Sequence, residues 1–291
     1  METKICRILL SLLFAVSSGY SFCQYDNVVL LRKPNPVRGY YKYLSSFSPL
    51  PVSGHADLDN IKFQYNESEA KKILSEKPYY LETVTLNDFT LSDPPANSSV
   101  QTRQELNYLL SLQHDRTAED IRSSLYISSN FLTPSDIGRI IGYWTETQKL
   151  PLTDSLMENI ARDGNFFLWS IKFKYNRPRP FMLDSKIHDL EESNAASYPS
   201  GHVTYGYIYA FIYEELAPEF TDYFISQAYE MSRARQIIGV HYPSDCEVSR
   251  IFARQLVDML LKNKKFLADF QNVKKEWEQH KLKPLNLVTR Q

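Results

Sequence analysis

Prolines divide this chain into runs of apolar residues at helical spacing, and almost nothing alternates with period two over a useful length. A sheet core needs that alternation, so the pattern predicts an all-α fold. Thr133, Pro134 and Asp136 read as an acidic capping box with proline in the first turn, opening a helix over 133–148. Leu156, Ile160, Phe167, Ile171 and Tyr175 keep helical spacing over 153–175, until Pro178 and Pro180 stop the run. Pro199 is placed to open a helix over 199–216, and Pro218 marks a break. Further helices are expected over 219–237, 243–262 and 266–280, the last with Phe266, Phe270, Val273 and Trp277 on one face. Towards the N-terminus, helices are expected over 67–75, 101–112 and 117–129, with loops over 88–100 and 181–198.

The first 23 residues have the layout of a secretory signal peptide. Lys4 and Arg7 precede a short apolar run, and small residues follow at Ser17, Ser18, Gly19 and Ser21. The run is too short to span a bilayer, and the segment 203–216 is interrupted by Glu214 and Glu215, so no membrane span is expected after the leader is removed. Residues 24–60, rich in Pro, Ser and Tyr, read as an extended N-terminal arm, and 61–291 as one helical-bundle domain. Cleavage near Cys23 would leave Cys246 alone, which fits a secreted chain large enough to fold without disulfides. With 33 Lys+Arg against 34 Asp+Glu, the chain lacks the basic field of a nucleic-acid platform.

Three clusters carry the chemistry. Lys172 stands ahead of Arg179-Pro180; Tyr198-Pro199-Ser200-Gly201-His202 precedes an apolar helix; and Arg235, His241 and Asp245 follow in order. A helix opened by Pro199 would leave the amides of Ser200, Gly201 and His202 among its unpaired donors, a setting that attracts anions. Gly201 lets an oxyanion approach the backbone, and the Ser200 hydroxyl adds a donor. His241 and Asp245 lie four apart, so the carboxylate can accept from one ring nitrogen and orient the other. Lys172, Arg179 and Arg235 supply three cations, of which the arginines offer planar forks to a phosphate. Neither a His-Glu-x-x-His pattern nor a dense Cys/His cluster is present, so no metal or other cofactor is expected.

These residues resemble the signature of the PAP2 (phosphatidic acid phosphatase type 2) and vanadium haloperoxidase superfamily. That signature runs Lys-x6-Arg-Pro, Pro-Ser-Gly-His, then Ser-Arg-x5-His-x3-Asp. Lys172 to Pro180, Pro199 to His202, and Arg235, His241 and Asp245 match it in order and spacing. The stretch 150–260 is most similar to bacterial class A non-specific acid phosphatases. The resemblance implies a PAP2-type helical bundle and a metal-independent acid phosphatase, exported to the periplasm or secreted, that hydrolyses soluble phosphomonoesters. It implies His241 as nucleophile forming a phosphohistidine, Asp245 as its orienting partner and His202 as general acid and base. Lys172, Arg179, Ser200, Gly201 and Arg235 would bind the phosphoryl oxygens. Implied partners are small phosphorylated substrates, with phosphate, vanadate or other tetrahedral oxyanions as inhibitors, and the resemblance allows a homo-oligomer.

One position departs from the signature: Ala234 stands where the family has serine, which implies weaker oxyanion contact or altered substrate preference. Alternatives are a membrane-associated lipid or isoprenyl-pyrophosphate phosphatase, a vanadium-dependent haloperoxidase, and an exported phosphate-binding protein with an inactive site.

Overall fold

Side-chain caps fix where four helices among the described residues begin. The structure, a computed structural model, describes residues 57–65 and 71–282. Nine α-helices lie wholly within them: α1 Val100–Asp115, α2 Ala118–Ser129, α3 Pro134–Ile140, α4 Pro151–Tyr175, α5 Pro180–Leu183, α6 Gly201–Leu216, α7 Thr221–Ile237, α8 Pro243–Leu260 and α9 Lys264–His280. No strand occurs among the described residues, so the fold is all-α as expected. The expected leader over 1–23, most of the arm over 24–60 and the start of the helix over 67–75 lie outside the described residues. Residues 71–73 of that helix are helical.

Ser99 caps α1 by accepting from the Thr102 amide at 3.1 Å. Thr117 with Asp120, and Thr133 with Asp136, close reciprocal boxes at α2 and α3. Asn263 caps α9 through the Phe266 amide at 3.0 Å.

Three boundaries differ from the sequence expectation. The helix from Thr133 ends at Ile140 rather than near residue 148, because Gly142 takes a left-handed φ of 79° and turns the chain back. Trp144 then lies flat on Gly138, where an added Cβ would stand 1.9 Å from the indole, and its Nε1 donates to the Ser135 carbonyl at 2.9 Å. Next, α4 starts at Pro151, not Thr153, since its first-turn donors are met from another helix. Glu276 of α9 accepts from the Leu152 and Thr153 amides at 3.0 and 2.8 Å and from the Thr153 hydroxyl at 2.6 Å. Lastly, the expected loop over 181–198 begins with the short helix α5, whose first-turn residue is Pro180.

Helix α6 sits at the centre. Val203, Ile208 and Ile212 are fully buried, and the helix packs on α7 and α8, with α4 also against it. Such a helix is apolar nearly all round because every side meets protein. Phe89 bridges Phe167 of α4 and Phe252 of α8 at ring separations of 5.0 and 5.1 Å. No helix among the described residues is long and apolar enough to cross a membrane.

Asp163 of α4 ties residues 79–81 to this core. Its carboxylate accepts from the backbone amides of Tyr79, Tyr80 and Leu81, although burial alone would push its pKa up. Asp163→Ala leaves three amides without their acceptor, and we expect it to lower unfolding free energy by about 2–4 kcal/mol. Urea denaturation followed by circular dichroism measures this; a loss below about 1 kcal/mol would mean that water replaces the carboxylate.

Candidate active site

Each sequence cluster ends up at an element boundary facing one cavity. Lys172 lies in the last turn of α4, and Arg179 caps α5. Gly201 and His202 form the first turn of α6, Arg235 lies in the last turn of α7, and His241 stands two residues ahead of α8. All six line a cavity of ≈ 280 Å³, and Phe131, Trp169 and Tyr205 are also part of its lining. Ser200 and Asp245 sit behind the wall, fully buried.

The Pro199 expectation needs correction. Pro199 precedes the helix, and Ser200 is the N-cap of α6. The Ser200 amide is therefore already used, donating to the Ser249 hydroxyl at 2.8 Å. Gly201 and His202 remain as first-turn residues on the cavity side. The Ser200 Oγ is buried with no hydrogen-bond partner among the described residues.

His241 is buried between an acid and a cation. Its Nδ1 lies 3.4 Å from Asp245 Oδ2, and Arg179 Nη1 donates to its Nε2 at 2.8 Å. A guanidinium cannot accept, so Nε2 carries a lone pair and the ring proton sits on Nδ1. Burial and then the Arg179 charge hold this imidazole well below its ordinary pKa, hence neutral. Asp245 also accepts from the Ser197 hydroxyl at 2.5 Å, the Tyr242 amide at 3.0 Å and Arg177 Nη1 at 2.7 Å. Although burial pushes its carboxyl up, Arg177 and these donors hold it far below the usual carboxylate range.

The three cations of the wall are engaged internally. Lys172 Nζ donates to the Ala196 and Pro199 carbonyls, both at 2.6 Å, and burial followed by the Arg179 charge lowers its pKa. Arg179 donates through Nε to the Ala195 carbonyl and through Nη1 to the Val240 carbonyl, each at 2.7 Å. Burial, then the charge of Arg235, brings its pKa down to about 10. Arg235 forms a two-pronged pair with Glu191, both contacts at 2.7 Å. His202 stacks on Phe131 with ring centroids 5.7 Å apart. Burial and then the Arg235 charge lower its pKa to about 4. So dense a set of buried positive charges can hold a tetrahedral oxyanion, which would relieve their mutual repulsion.

Sequence reasoning missed Arg177, Glu105 and Ser197. Arg177, only 2% exposed, pairs with Asp245 at 2.7 Å and with Glu105 of α1 at 3.2 Å, and lies 3.9 Å over the Tyr242 ring. Glu105 also accepts from the Ser244 amide and hydroxyl at 2.8 and 2.9 Å. The signal available was Arg177-Pro178 directly before Arg179-Pro180, a second guanidinium fixed at the end of α4. Ala234 is buried on α7 but is not part of the cavity wall, and Arg233 instead approaches Asp120 and Glu230 at 3.9 and 3.8 Å.

The family described as the PAP2 superfamily matches residues 160–260, a span that contains all three clusters. A non-specific acid phosphatase of Providencia stuartii is 34% identical over 143 residues, covering 47% of this chain and 57% of that protein. One from Salmonella typhimurium is 25% identical over 223 residues, covering 72% of this chain and 81% of its own length. A third, from Salmonella typhi, is 26% identical over 188 residues, covering 60% and 73% respectively. Residues 160–260, which hold every residue of the cavity's signature, are thus similar to the PAP2 superfamily.

Proposed function

We propose that this protein is an exported, metal-independent acid phosphatase that hydrolyses soluble phosphomonoesters through a phosphohistidine. The observation that carries this reading is the meeting of Lys172, Arg179, Gly201, His202, Arg235 and His241 on one cavity wall, with the His241 ring proton turned towards Asp245. Three cations and a helix end provide the charge stabilisation for which other phosphatases use metal ions. The periplasmic location rests on the leader-like sequence over 1–23 and on the acid phosphatase relatives.

In the first step the Nε2 lone pair of His241 attacks phosphorus and the bond to the ester oxygen breaks. His202 gives its proton to that oxygen, and the alcohol leaves. Asp245, held by Arg177 and Ser197, accepts the Nδ1–H as positive charge develops on the ring. Water then attacks phosphorus, giving a proton back to His202, and the P–N bond breaks to release phosphate. Arg179 must move off Nε2, where it sits 2.8 Å away, as the phosphoryl group takes its place.

The test is hydrolysis of an aryl phosphate in excess EDTA across pH 4 to 8, with orthovanadate as inhibitor. Turnover that persists in EDTA and is blocked by vanadate is the expected result; turnover lost with EDTA and restored by one ion would overturn it. The pH profile has a definite sign. In the free protein the pKa of His202 is lowered to about 4, so the acid form becomes scarcer as pH rises and kcat/KM falls through the same range. A bound phosphoryl dianion offsets the surrounding cations and raises that pKa, so the decline in kcat lies at higher pH than the decline in kcat/KM.

A further inference from the structure

Glu191 belongs to none of the three signature clusters, yet it is the residue that occupies Arg235. Both carboxylate oxygens meet the two terminal nitrogens of the guanidinium at 2.7 Å, a two-pronged contact of the kind an arginine fork makes with two oxygens of a phosphoryl group. Arg235 is 1% exposed, whereas the Glu191 side chain keeps 31% of its surface. The remaining donor of Arg235, its Nε, is buried and has no partner among the described residues. Arg235 and Glu191 both line the cavity, so their paired contact lies at its wall.

This contact is built into the fold. The neighbouring Leu190 amide donates to the Ile238 carbonyl at 3.0 Å, which ties the Glu191 segment to the turn that follows α7. Arg116, the C-cap of α1, braces both sides of that junction, donating to the Ile237 carbonyl at 2.7 Å and to the His188 carbonyl at 3.4 Å. The Glu191 segment is thus held against the end of the helix that carries Arg235, and its carboxylate reaches the fork at high local concentration.

We propose that Glu191 is a tethered competitor for the oxyanion site, holding the Arg235 fork in the free protein and leaving it when a tetrahedral oxyanion binds. The inference deepens the phosphatase reading and rests on its oxyanion cavity. Its consequence is a weakened affinity for every oxyanion that needs Arg235, product phosphate included, because only the fraction of molecules with the fork open is competent.

The experiment measures binding of inorganic phosphate to the purified protein by calorimetry, with orthovanadate inhibition alongside. The wild type, Glu191→Gln and Glu191→Ala are compared, each also in an Arg235→Ala background. Glu191→Gln is expected to tighten phosphate binding by about fivefold or more, with the gain falling below about twofold when Arg235 is absent. Unchanged or weaker binding in both Glu191 variants would overturn the proposal, since Glu191 would then be positioning Arg235 for the ligand. An equal gain in the Arg235→Ala background would also overturn it, leaving only the general effect of removing a negative charge. Circular dichroism confirms folding of each variant. A crystal structure of the wild type with phosphate supplies an answer independent of the variants: the carboxylate off Arg235 supports competition, and the pair intact beside bound phosphate rejects it. Aryl phosphate hydrolysis by the same wild-type preparation keeps the two readings apart. Hydrolysis without tighter binding in Glu191→Gln removes the competitor alone, whereas tighter binding without hydrolysis removes the phosphatase chemistry alone. Phosphate binding by no variant removes both.

Discussion

His241→Ala is expected to abolish aryl phosphate turnover, lowering kcat by about 10³-fold or more, while phosphate binding survives. The reason is local. Nε2 is the one ring nitrogen on the cavity side that carries a lone pair, since Nδ1 keeps its proton towards Asp245 and Arg179 donates to Nε2. Removing the imidazole takes away the attacking atom but leaves Lys172, Arg179 and Arg235 around the oxyanion space. Turnover and calorimetric phosphate binding measured on the same preparation separate these two effects. A rapid alkaline quench with labelled substrate should trap phosphorus on the wild type and none on the variant. Substantial turnover by His241→Ala would reassign the nucleophile, and loss of phosphate binding along with turnover would mean the cavity wall had collapsed.

Arg177→Ala should be the most destabilising change at the site, with a loss of about 3–5 kcal/mol in unfolding free energy. Arg177 stands between two carboxylates that are both fully buried, Asp245 and Glu105. Burial raises the Glu105 pKa, and the nearby Asp245 charge adds to that rise, so the guanidinium is what allows the two acids to share this space. Taking it away leaves like charges facing each other without water. Arg177→Lys keeps a charge but cannot fork between two acids while lying flat on Tyr242, so an intermediate loss is expected. In the Arg177→Ala background, Glu105→Gln should recover part of the stability by removing one of the stranded charges. Urea unfolding of the four proteins decides the matter. A loss under about 1 kcal/mol for Arg177→Ala would mean that water or a neighbouring cation fills the gap. Turnover should fall with stability, because Asp245 orients His241 only while Arg177 holds it in place.

Helix α6 and the residues ahead of it show how much of this molecule could be read directly. Apolar side chains at helical spacing and glycine beside His202 marked the helix and its anion-facing end, and the motif spacing picked out six of the side chains that now share a wall. The same reading put Pro199 in the first turn and counted the Ser200 amide as free. Proline's preference for that position is a local tendency, and Ser249 of α8, 49 residues away, overrides it by accepting the Ser200 N–H. At α4 the pattern is similar. Pro151 was available as a start signal, but what fixes the boundary is Glu276, more than 120 residues on, filling the role of a cap.

Sequence by itself determined the helical class, the capping box at Thr133, and the identity and order of Lys172, Arg179, His202, Arg235, His241 and Asp245. All of these follow from properties carried within a few residues: side-chain periodicity, backbone restriction and motif spacing. Tertiary structure alone decided that Arg177 joins Asp245 to Glu105, that Arg179 rests on the lone pair of His241, and that Glu191 occupies Arg235. Those pairings join residues 44 to 72 positions apart. Buried charges take whichever partner the packed helices bring within reach, because the low-dielectric interior penalises every unpaired one, and no local pattern records which partner that is.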